Sequence, residues 1–599
     1  MGNTIFRPSG RLGSLLHAHE ESWVGRILAE EPNLFGAFRD REGNTLFKTM
    51  WHGEFPGKLL SGTALMYAMT GSEAARHTGD ALAAALKETQ AADGYLGPWD
   101  HARRFDGSTE PDHTRWSDGS DIGRWDTWGQ YHCIYGLYRW YKLTGDRGCL
   151  ETAMRALDCI YDHFIAQNRS FVRQNWAECN LAIGHAFALL YRECGKPEYL
   201  QAAKHIVHTE WDAEYSDYYT RRRLCCGWLT AAESGVPFGR SGQPRWEGVY
   251  SLQTLTELYR ATGEARYRDA ACALWRDIAA TDRHNTGSFG TGEGATGDLY
   301  GAGSETCNTV AWMAFSTDVL QLTKDSRIAD ELELSWFNAA LGSLLAGERD
   351  FTYMNDSDGS RLPANIVLKE QGYDGARDMS CCQANGTRGI AQPADWAMLC
   401  EENGLWLNWY SEAQFTWAAP QKNIVRLTLH SGYPADGQIR IELHMDAPSH
   451  FALHLRIPGW SAHTSLTVNG IPCTGLQPGS YCTLDRRWRP GDVIELALDL
   501  TPHFWPYAEG NRFSAYCGPV LLAYRTQERK LLQFTPDAFA AAKPADADAL
   551  TALQVCAADG MPVLFTDYYS AGKDGSSFAS WLAAAGPLPS PADPIWQSH

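Results

Sequence analysis

A short phrase recurs through the first two-thirds of this chain and limits what that part can become. Leu-x-x-Leu-Tyr-x-x-Thr-Gly, followed by a polar residue and a new amphipathic run, returns with variations at Tyr67–Gly71, Tyr141–Gly145, Tyr191–Gly195 and Tyr259–Gly263, with a degenerate copy at Leu322–Asp325. Each copy reads as a helix ending on a glycine C-cap, then a tight corner, then a second helix. Ser72–Gln90 and Ala265–Ala280 carry the apolar spacing of about 3.6 residues that such second helices need. The spacing of the corners is too irregular for an open solenoid and suits helical hairpins closed into a toroid with long loops. Five corners, and a sixth expected near Glu401–Gly404, predict an (α/α)6 barrel.

After about residue 410 the period changes to two. Ile424–His430, Gln438–His444, Phe451–Ile457 and Val493–Leu500 alternate apolar and polar residues, with turns at Pro458-Gly459, Asn469-Gly470 and Pro490-Gly491. This predicts a β-sandwich. A chain of 599 residues is too long for one ordinary core. The expected organisation is a multidomain α plus β protein: a barrel over 1–410 with an N-terminal extension, a sandwich over 411–526, and a segment over 527–599 that packs on one of them. That last segment mixes an Ala-rich stretch, Asp537–Asp559, with a strand-like Pro562–Tyr568.

Two loops interrupt the helices. Asp100–Asp126 is rich in Asp, Gly, Ser and Arg; its acidic set, Asp106, Glu110, Asp112, Asp118 and Asp121, reads as a solvated loop rather than a calcium site. Gly287–Gly303 holds seven glycines in 17 residues, which lets backbone approach a ligand closely. It leads directly into Ser304-Glu305-Thr306-Cys307.

That motif and Ser380-Cys381-Cys382-Gln383 together offer three thiols and a carboxylate. Glu305, Cys307, Cys381 and Cys382 make a plausible tetrahedral zinc set, although the spacing is unlike a zinc finger. Adjacent cysteines converge on one ion only if the backbone turns sharply between them, and irregular backbone of that kind is often functional. A zinc-held thiolate is a soft nucleophile; the competing reading is a closed site that only staples two loops. Cys225-Cys226 lacks a Glu-x-Cys partner and reads as a non-ligand. Glu293, twelve residues before Glu305 across the glycine loop, would suffice as acid/base beside a thiolate nucleophile, or is a solvated loop carboxylate.

The net charge of −19 argues against phosphate-backbone binding and for a neutral polar partner. The 23 Trp and 26 Tyr pack cores, but aromatic faces also stack on sugars. No apolar run is long enough for a signal peptide or a membrane span. The expectation is a soluble, cytoplasmic protein whose 16 cysteines are mostly reduced, binding neither nucleic acid nor membrane, with a homo-oligomer open.

These motifs resemble glycoside hydrolase family 127, which contains bacterial β-L-arabinofuranosidases and related exo-acting enzymes. The likeness rests on Ser-Glu-Thr-Cys-Asn, Ser-Cys-Cys-x-x-Asn and the preceding Thr-Gly-x-x-Gly-x-Gly-Glu. It rests also on Trp125–His132, on Leu455–Trp460 and on Val468-Asn469-Gly470, and runs from about Trp51 to Tyr524. It implies an (α/α)6 barrel with β-sandwich material, and zinc held by one Glu and three Cys. It implies Cys381 as nucleophile forming a thioglycosyl intermediate with net retention, Glu293 as acid/base, and His132 and Tyr353 as sugar contacts. Trp128 shares a helix face with His132 and is expected to line the sugar site; His52, opening the first barrel helix, is a further pocket candidate.

Several positions depart from the family pattern. The Glu293–Glu305 loop is a few residues shorter, with Gly294-Ala295 for Ala-Phe. Trp246-Glu247-Gly248 stands where another sugar-binding histidine is expected, and Gln383-Ala384 replaces Pro-Pro. The functional expectation is a retaining exo-glycosidase acting on a terminal β-L-arabinofuranoside or related sugar. The alternatives are a family member acting on another unusual sugar, and a non-catalytic saccharide-binding protein with structural zinc. A prenyltransferase-like toroid would need Asp and His ligands and a basic phosphate site. Asn355-Asp356-Ser357-Asp358-Gly359 resembles the start of a calcium loop but meets Ile366 or Val367 where glutamate is needed, so it reads as a turn.

Overall fold

The computed structural model describes residues 4–43, 51–105, 125–174, 176–216, 223–242, 244–301, 303–367, 379–401, 404–419, 423–526 and 532–590. The recurring phrase makes its corners by a common device. Gly71, Gly145, Gly195 and Gly263 take left-handed backbone, with φ between +67° and +77°, and each N–H bonds to the tyrosine carbonyl four residues before it. Such backbone costs a residue bearing Cβ about 1–2 kcal/mol, so glycine ends these helices. The threonine of the phrase acts separately. The hydroxyls of Thr70, Thr144 and Thr262 accept the N–H two residues on and set the start of the next helix. The degenerate copy turns the same corner with Lys324 at φ +53° and Thr323 in the place of the threonine.

Six helices form an inner layer: α1 (Phe55–Thr70), α2 (Asp126–Thr144), α3 (Ile183–Cys194), α4 (Trp246–Thr262), α5 (Thr306–Thr323) and α6 (Cys381–Ala391). Each packs on the next, and α6 packs back on α1. An outer helix follows each of α1 to α5 and packs on it, beginning with Glu73–Thr89. Burial follows from position. α1 is buried over almost its whole circumference, whereas Glu73–Thr89 buries one stripe, at Ala75, Thr78, Gly79, Leu82, Ala83 and Leu86. α1 and α2 touch backbone to backbone: a Cβ on Gly57 would lie 2.1 Å from the carbonyl carbon of His132.

The sixth corner expected near Glu401–Gly404 is not helical. Met398–Glu401 and Gly404–Leu407 are antiparallel strands, because Leu405 and Leu407 bury alternate positions rather than a helical stripe. The outer place beside α1 is taken from the other end of the chain. Helix Gly10–Ser22 packs on α1, and His19 Nε2 lies 2.9 Å from the Thr387 hydroxyl on α6.

The β-rich part therefore begins before residue 410. One seven-stranded sheet includes Thr4–Pro8, which pairs with Ala413–Ala418; Ala413–Ala418 in turn pairs with Ile424–Ser431, and that with Gln438–Met445. A four-stranded sheet joins Ser449–Ile457 to Ser480–Trp488 and Gly404–Leu407. Arg456, fully buried, fastens this part to the helical layer: it pairs with Asp330 and lies 2.8 Å from Glu333, both on an outer helix. Residues after 526, which read from sequence as a partial return to the sandwich or a packing tail, complete a third sheet. Val520–Arg525 pairs with Pro562–Asp567, and Phe513, Phe534, Phe539 and Phe565 fill its core. The chain is thus a multidomain α and β protein, helical first and β-rich after. Among the described residues, no helix is long and apolar enough to cross a membrane.

Because Gly57 has no room for a methyl group against the α2 backbone, Gly57→Ala is expected to cost at least about 2 kcal/mol of stability. Urea unfolding followed by circular dichroism reads this directly.

Candidate active site

Two helix starts build the centre of the site. Glu305 ends the two-residue strand Ser304–Glu305, paired with Met354–Asn355, and is the N-cap residue of α5, with Cys307 in the first turn. Ser380 caps α6 through its hydroxyl, which accepts the Gln383 N–H at 3.1 Å, and Cys381 and Cys382 are the first two helical residues. The sharp turn expected between the adjacent cysteines is therefore a regular helix start, from extended Ser380 (φ −146°, ψ 169°) into the first turn. Residues there step about 100° around the axis, and the free N–H groups of a helix N-terminus favour thiolate.

Glu305, Cys307, Cys381 and Cys382 are all buried, and their donor atoms lie within 4.8 Å of one another. The Cys307–Cys382 and Cys381–Cys382 sulfurs are 3.8 and 3.7 Å apart. Glu305 Oε1 lies 3.2 Å from the Cys381 sulfur and 3.4 Å from that of Cys382. A tetrahedral ion with metal–sulfur bonds of about 2.3 Å has sulfur–sulfur edges of about 3.8 Å, so the donor set fits such an ion. Charge points the same way. Burial, and then the neighbouring acidic groups, push Glu305 and Cys381 well above their ordinary pKa values. Burial acts on Cys307 too, but hydrogen bonds from Cys381 and Cys382, with Lys58 nearby, outweigh it and hold Cys307 low. Four such donors ionise together only around a cation. The group could hold a metal ion.

Glu293 is brought to this cluster by the glycine loop. Glu305 N–H bonds to the Gly292 carbonyl and Gly292 N–H to the Gly303 carbonyl, each at 2.9 Å, so the intervening residues leave and return at one point. Gly292 stands at φ +63° in the turn. Asn308 clamps it, its side-chain amide donating to the carbonyls of Phe289 and Gly292 at 2.8 and 3.0 Å. The Glu293 carboxylate accepts from the Tyr353 hydroxyl and from Arg245 Nη2 at 2.7 Å. Arg245 is also bidentate to buried Glu247 at 2.8 and 3.1 Å. Tyr353 reaches both groups, since its carbonyl lies 3.9 Å from the Cys382 sulfur.

Behind the cysteines is a second buried layer. Lys58 Nζ bonds to Glu54 at 2.8 Å, neither side chain having more than 1% exposure. Trp128 Nε1 donates to the same carboxylate, and the ammonium sits 5.6 and 5.2 Å from the Trp128 and Trp246 rings. Burial would push Lys58 down, but Glu54, Cys307 and Cys381 together raise it above the ordinary lysine range. Burial, with the charges of Lys58 and Arg388, holds His132 well below the ordinary histidine pKa, so its imidazole is neutral. Neither of its ring nitrogens has a partner among the described residues. Its ring packs on Trp128 at 4.3 Å. His52 is buried two residues before Glu54 and packs on Phe55.

Trp128, His132, Tyr353, Glu293 and the four donors thus share one region, with His52 at its edge. Sequence reasoning misses Lys58, Glu54 and Arg245, and it gives no role to Glu247, noted only as a departure from an expected histidine, or to Asn308. Asn308 carries a signal, since it follows the Glu-x-Cys motif by one residue; buried Lys58 and Glu54 look like ordinary helix-start charges. Cys225-Cys226 joins no metal-ligating group among the described residues. Asp358, in the calcium-like turn, is occupied by the N–H groups of Ser580 and Trp581 at 2.7 and 2.9 Å. The acidic set from Asp106 to Asp121 lies outside the described residues.

The family model described as the β-L-arabinofuranosidase GH127 catalytic domain matches residues 26–395, and the GH127 middle-domain model matches 404–500. A "non-reducing end beta-L-arabinofuranosidase" of Bifidobacterium longum subsp. longum is 25% identical over 407 residues; the match covers 62% of this chain and 59% of that protein. Among solved structures, a GH127 β-arabinofuranosidase superposes with a TM-score of 0.75 at 19% identity, covering 97% of this chain and 96% of that one. A GH127 β-L-arabinofuranosidase from Geobacillus stearothermophilus T6 gives the same TM-score at 18% identity, covering 97% and 100%.

Lys58→Met leaves the Glu54 carboxylate buried without its cation and is expected to cost about 3–5 kcal/mol. Adding Glu54→Gln should restore part of that loss; a double-mutant cycle by urea unfolding measures the coupling, and simple additivity would show that the pair does not interact.

Proposed function

The chain belongs to glycoside hydrolase family 127, and on that footing we propose that it is a retaining, exo-acting glycoside hydrolase. Its substrate in this reading is a terminal furanoside, a β-L-arabinofuranoside or a related sugar, with Cys381 as nucleophile and Glu293 as acid/base. The observation that carries the assignment is access. Of the four clustered donors, Cys307 and Cys382 are fully enclosed and Glu305 is 1% exposed, while Cys381 retains 6%; Tyr353, whose carbonyl approaches the Cys382 sulfur, also donates to Glu293.

Zn2+ bound by Glu305, Cys307, Cys381 and Cys382 would supply the charge that keeps buried thiols deprotonated. The Cys381 sulfur attacks the anomeric carbon as its bond to the leaving oxygen breaks, and Glu293 gives that oxygen its proton. A water then loses a proton to Glu293 and displaces the sulfur, so two inversions leave the configuration unchanged. Tyr353 and Arg245 orient Glu293, and the sugar-contact roles the family resemblance implies for His132, with Trp128 and His52 beside it, fall on residues buried at the edge of this region.

The closed cycle of α1 to α6 supports an (α/α)6 barrel, and the two packed sheets after it support a β-sandwich. The division expected from sequence, 1–410, 411–526 and 527–599, is better drawn along the pairing: helices to about residue 397, a middle β unit to about 500, and a third from 503. A cytoplasmic setting, in which its cysteines stay reduced, remains part of this reading. A related but different sugar is the second reading, favoured by the Arg245–Glu247 pair beside Glu293.

Elemental analysis of purified protein is expected to find one zinc per chain, reduced in Glu305→Gln and Cys382→Ser; zinc-free protein would remove the proposed centre. Aryl β-L-arabinofuranoside hydrolysis should fall at least about a thousandfold in Cys381→Ser. In Glu293→Gln it should fall about a hundredfold or more, and less for better leaving groups. Proton NMR of the first-formed product should show retention, and inversion would exclude the covalent route.

A further inference from the structure

The inner helices run from the site toward a second cavity at their C-terminal ends, of about 1380 Å³, lined by α2 to α6 and by strand residues such as Trp417. It is separated from His132 by the Tyr250 ring, whose centroid lies 5.6 Å from the imidazole. Nearly every charge on its wall is matched: Arg139 lies 2.7 Å from Asp395, Arg192 2.6 Å from Glu257, and Arg260 3.1 Å from Asp318.

Arg388 is different. It is only 1% exposed, and among the described residues it has no carboxylate within ion-pairing distance and one side-chain hydrogen bond, from Nη1 to the Tyr250 hydroxyl at 3.2 Å. Its guanidinium lies 4.6 and 5.0 Å from the Tyr135 and Tyr250 ring centroids, so both rings pack on it. Gln253, 2% exposed, lines the same cavity, and its side-chain Nε2 has no acceptor among the described residues. A buried, unpaired cation is costly, and a planar guanidinium beside an unsatisfied amide donor suits an oxyanion.

We infer that this cavity is a second binding site, in which Arg388 and Gln253 receive a small oxyanion, a carboxylate or an inorganic phosphate. The site is separate from the proposed sugar pocket and lies behind it. Arg388 follows Cys381 by seven residues, two turns of one helix, so an occupant would press on the helix that carries the nucleophile.

Calorimetric titration of the full-length protein with sodium acetate and, separately, sodium phosphate, with sodium chloride at matched ionic strength as control, tests the assignment. At least one oxyanion should bind saturably at one site and more tightly than chloride, and which one binds identifies the class. Arg388→Met should weaken that binding at least about tenfold, and Gln253→Leu about fivefold, the equivalent of one neutral hydrogen bond. If Arg388→Met fails to fold by circular dichroism, Gln253→Leu decides alone. Binding no tighter than chloride, or unchanged in the folded variants, would overturn the site and leave Arg388 balanced by the helix ends and the cysteine cluster.

Discussion

Four acidic donors enclosed within 4.8 Å of one another are the constraint on which the surrounding structure depends. Such groups cannot ionise together in a low-dielectric interior without positive charge nearby. The fold brings that charge in several forms. α5 and α6 both begin at the cluster, so the positive ends of their helix dipoles face it, and Lys58 enters from α1. The closed ring makes this possible. The C-terminal parts of α2 to α6 line the second cavity, away from the acidic donors.

The position of Glu293 depends on parts of the chain remote in sequence. The glycine loop closes on itself through Gly292, Gly303 and Glu305, but its outer part leans on the C-terminal unit. Tyr300 stacks on Tyr507 at 3.8 Å, and Asn285 donates to the hydroxyls of Ser514 and Ser580, each at 2.9 Å. Tyr568 donates to the Asp356 carbonyl at 2.6 Å, just beyond the Met354–Asn355 strand that pairs with Glu305. The third sheet therefore braces both strands that carry the candidate site.

Local features are legible wherever one interaction between near neighbours decides the outcome. The Thr-Gly corners are of this kind, because glycine's left-handed backbone and a threonine hydroxyl two residues from its donor act within five residues. The cysteine and Glu-x-Cys motifs are legible because few other roles suit thiols beside a carboxylate. Boundaries are less so. The β-rich part starts at Met398 rather than near 410, and Thr4–Pro8 joins its sheet, since strand pairing reaches across the whole chain.

From its sequence alone this protein declares its helical corners, its alternating strands and the identity of its four clustered donors, for these follow from backbone preference, periodicity and side-chain chemistry. Tertiary structure decided the rest. It replaced the expected sixth helical corner with a β-hairpin and drew the N-terminal helix into the vacant outer place. It converted the tail into a brace, and it set Lys58, Arg245 and Arg388 where their charges matter. A charge acts through distance and burial, and neither is written in the order of residues; only the closed ring brings these groups together.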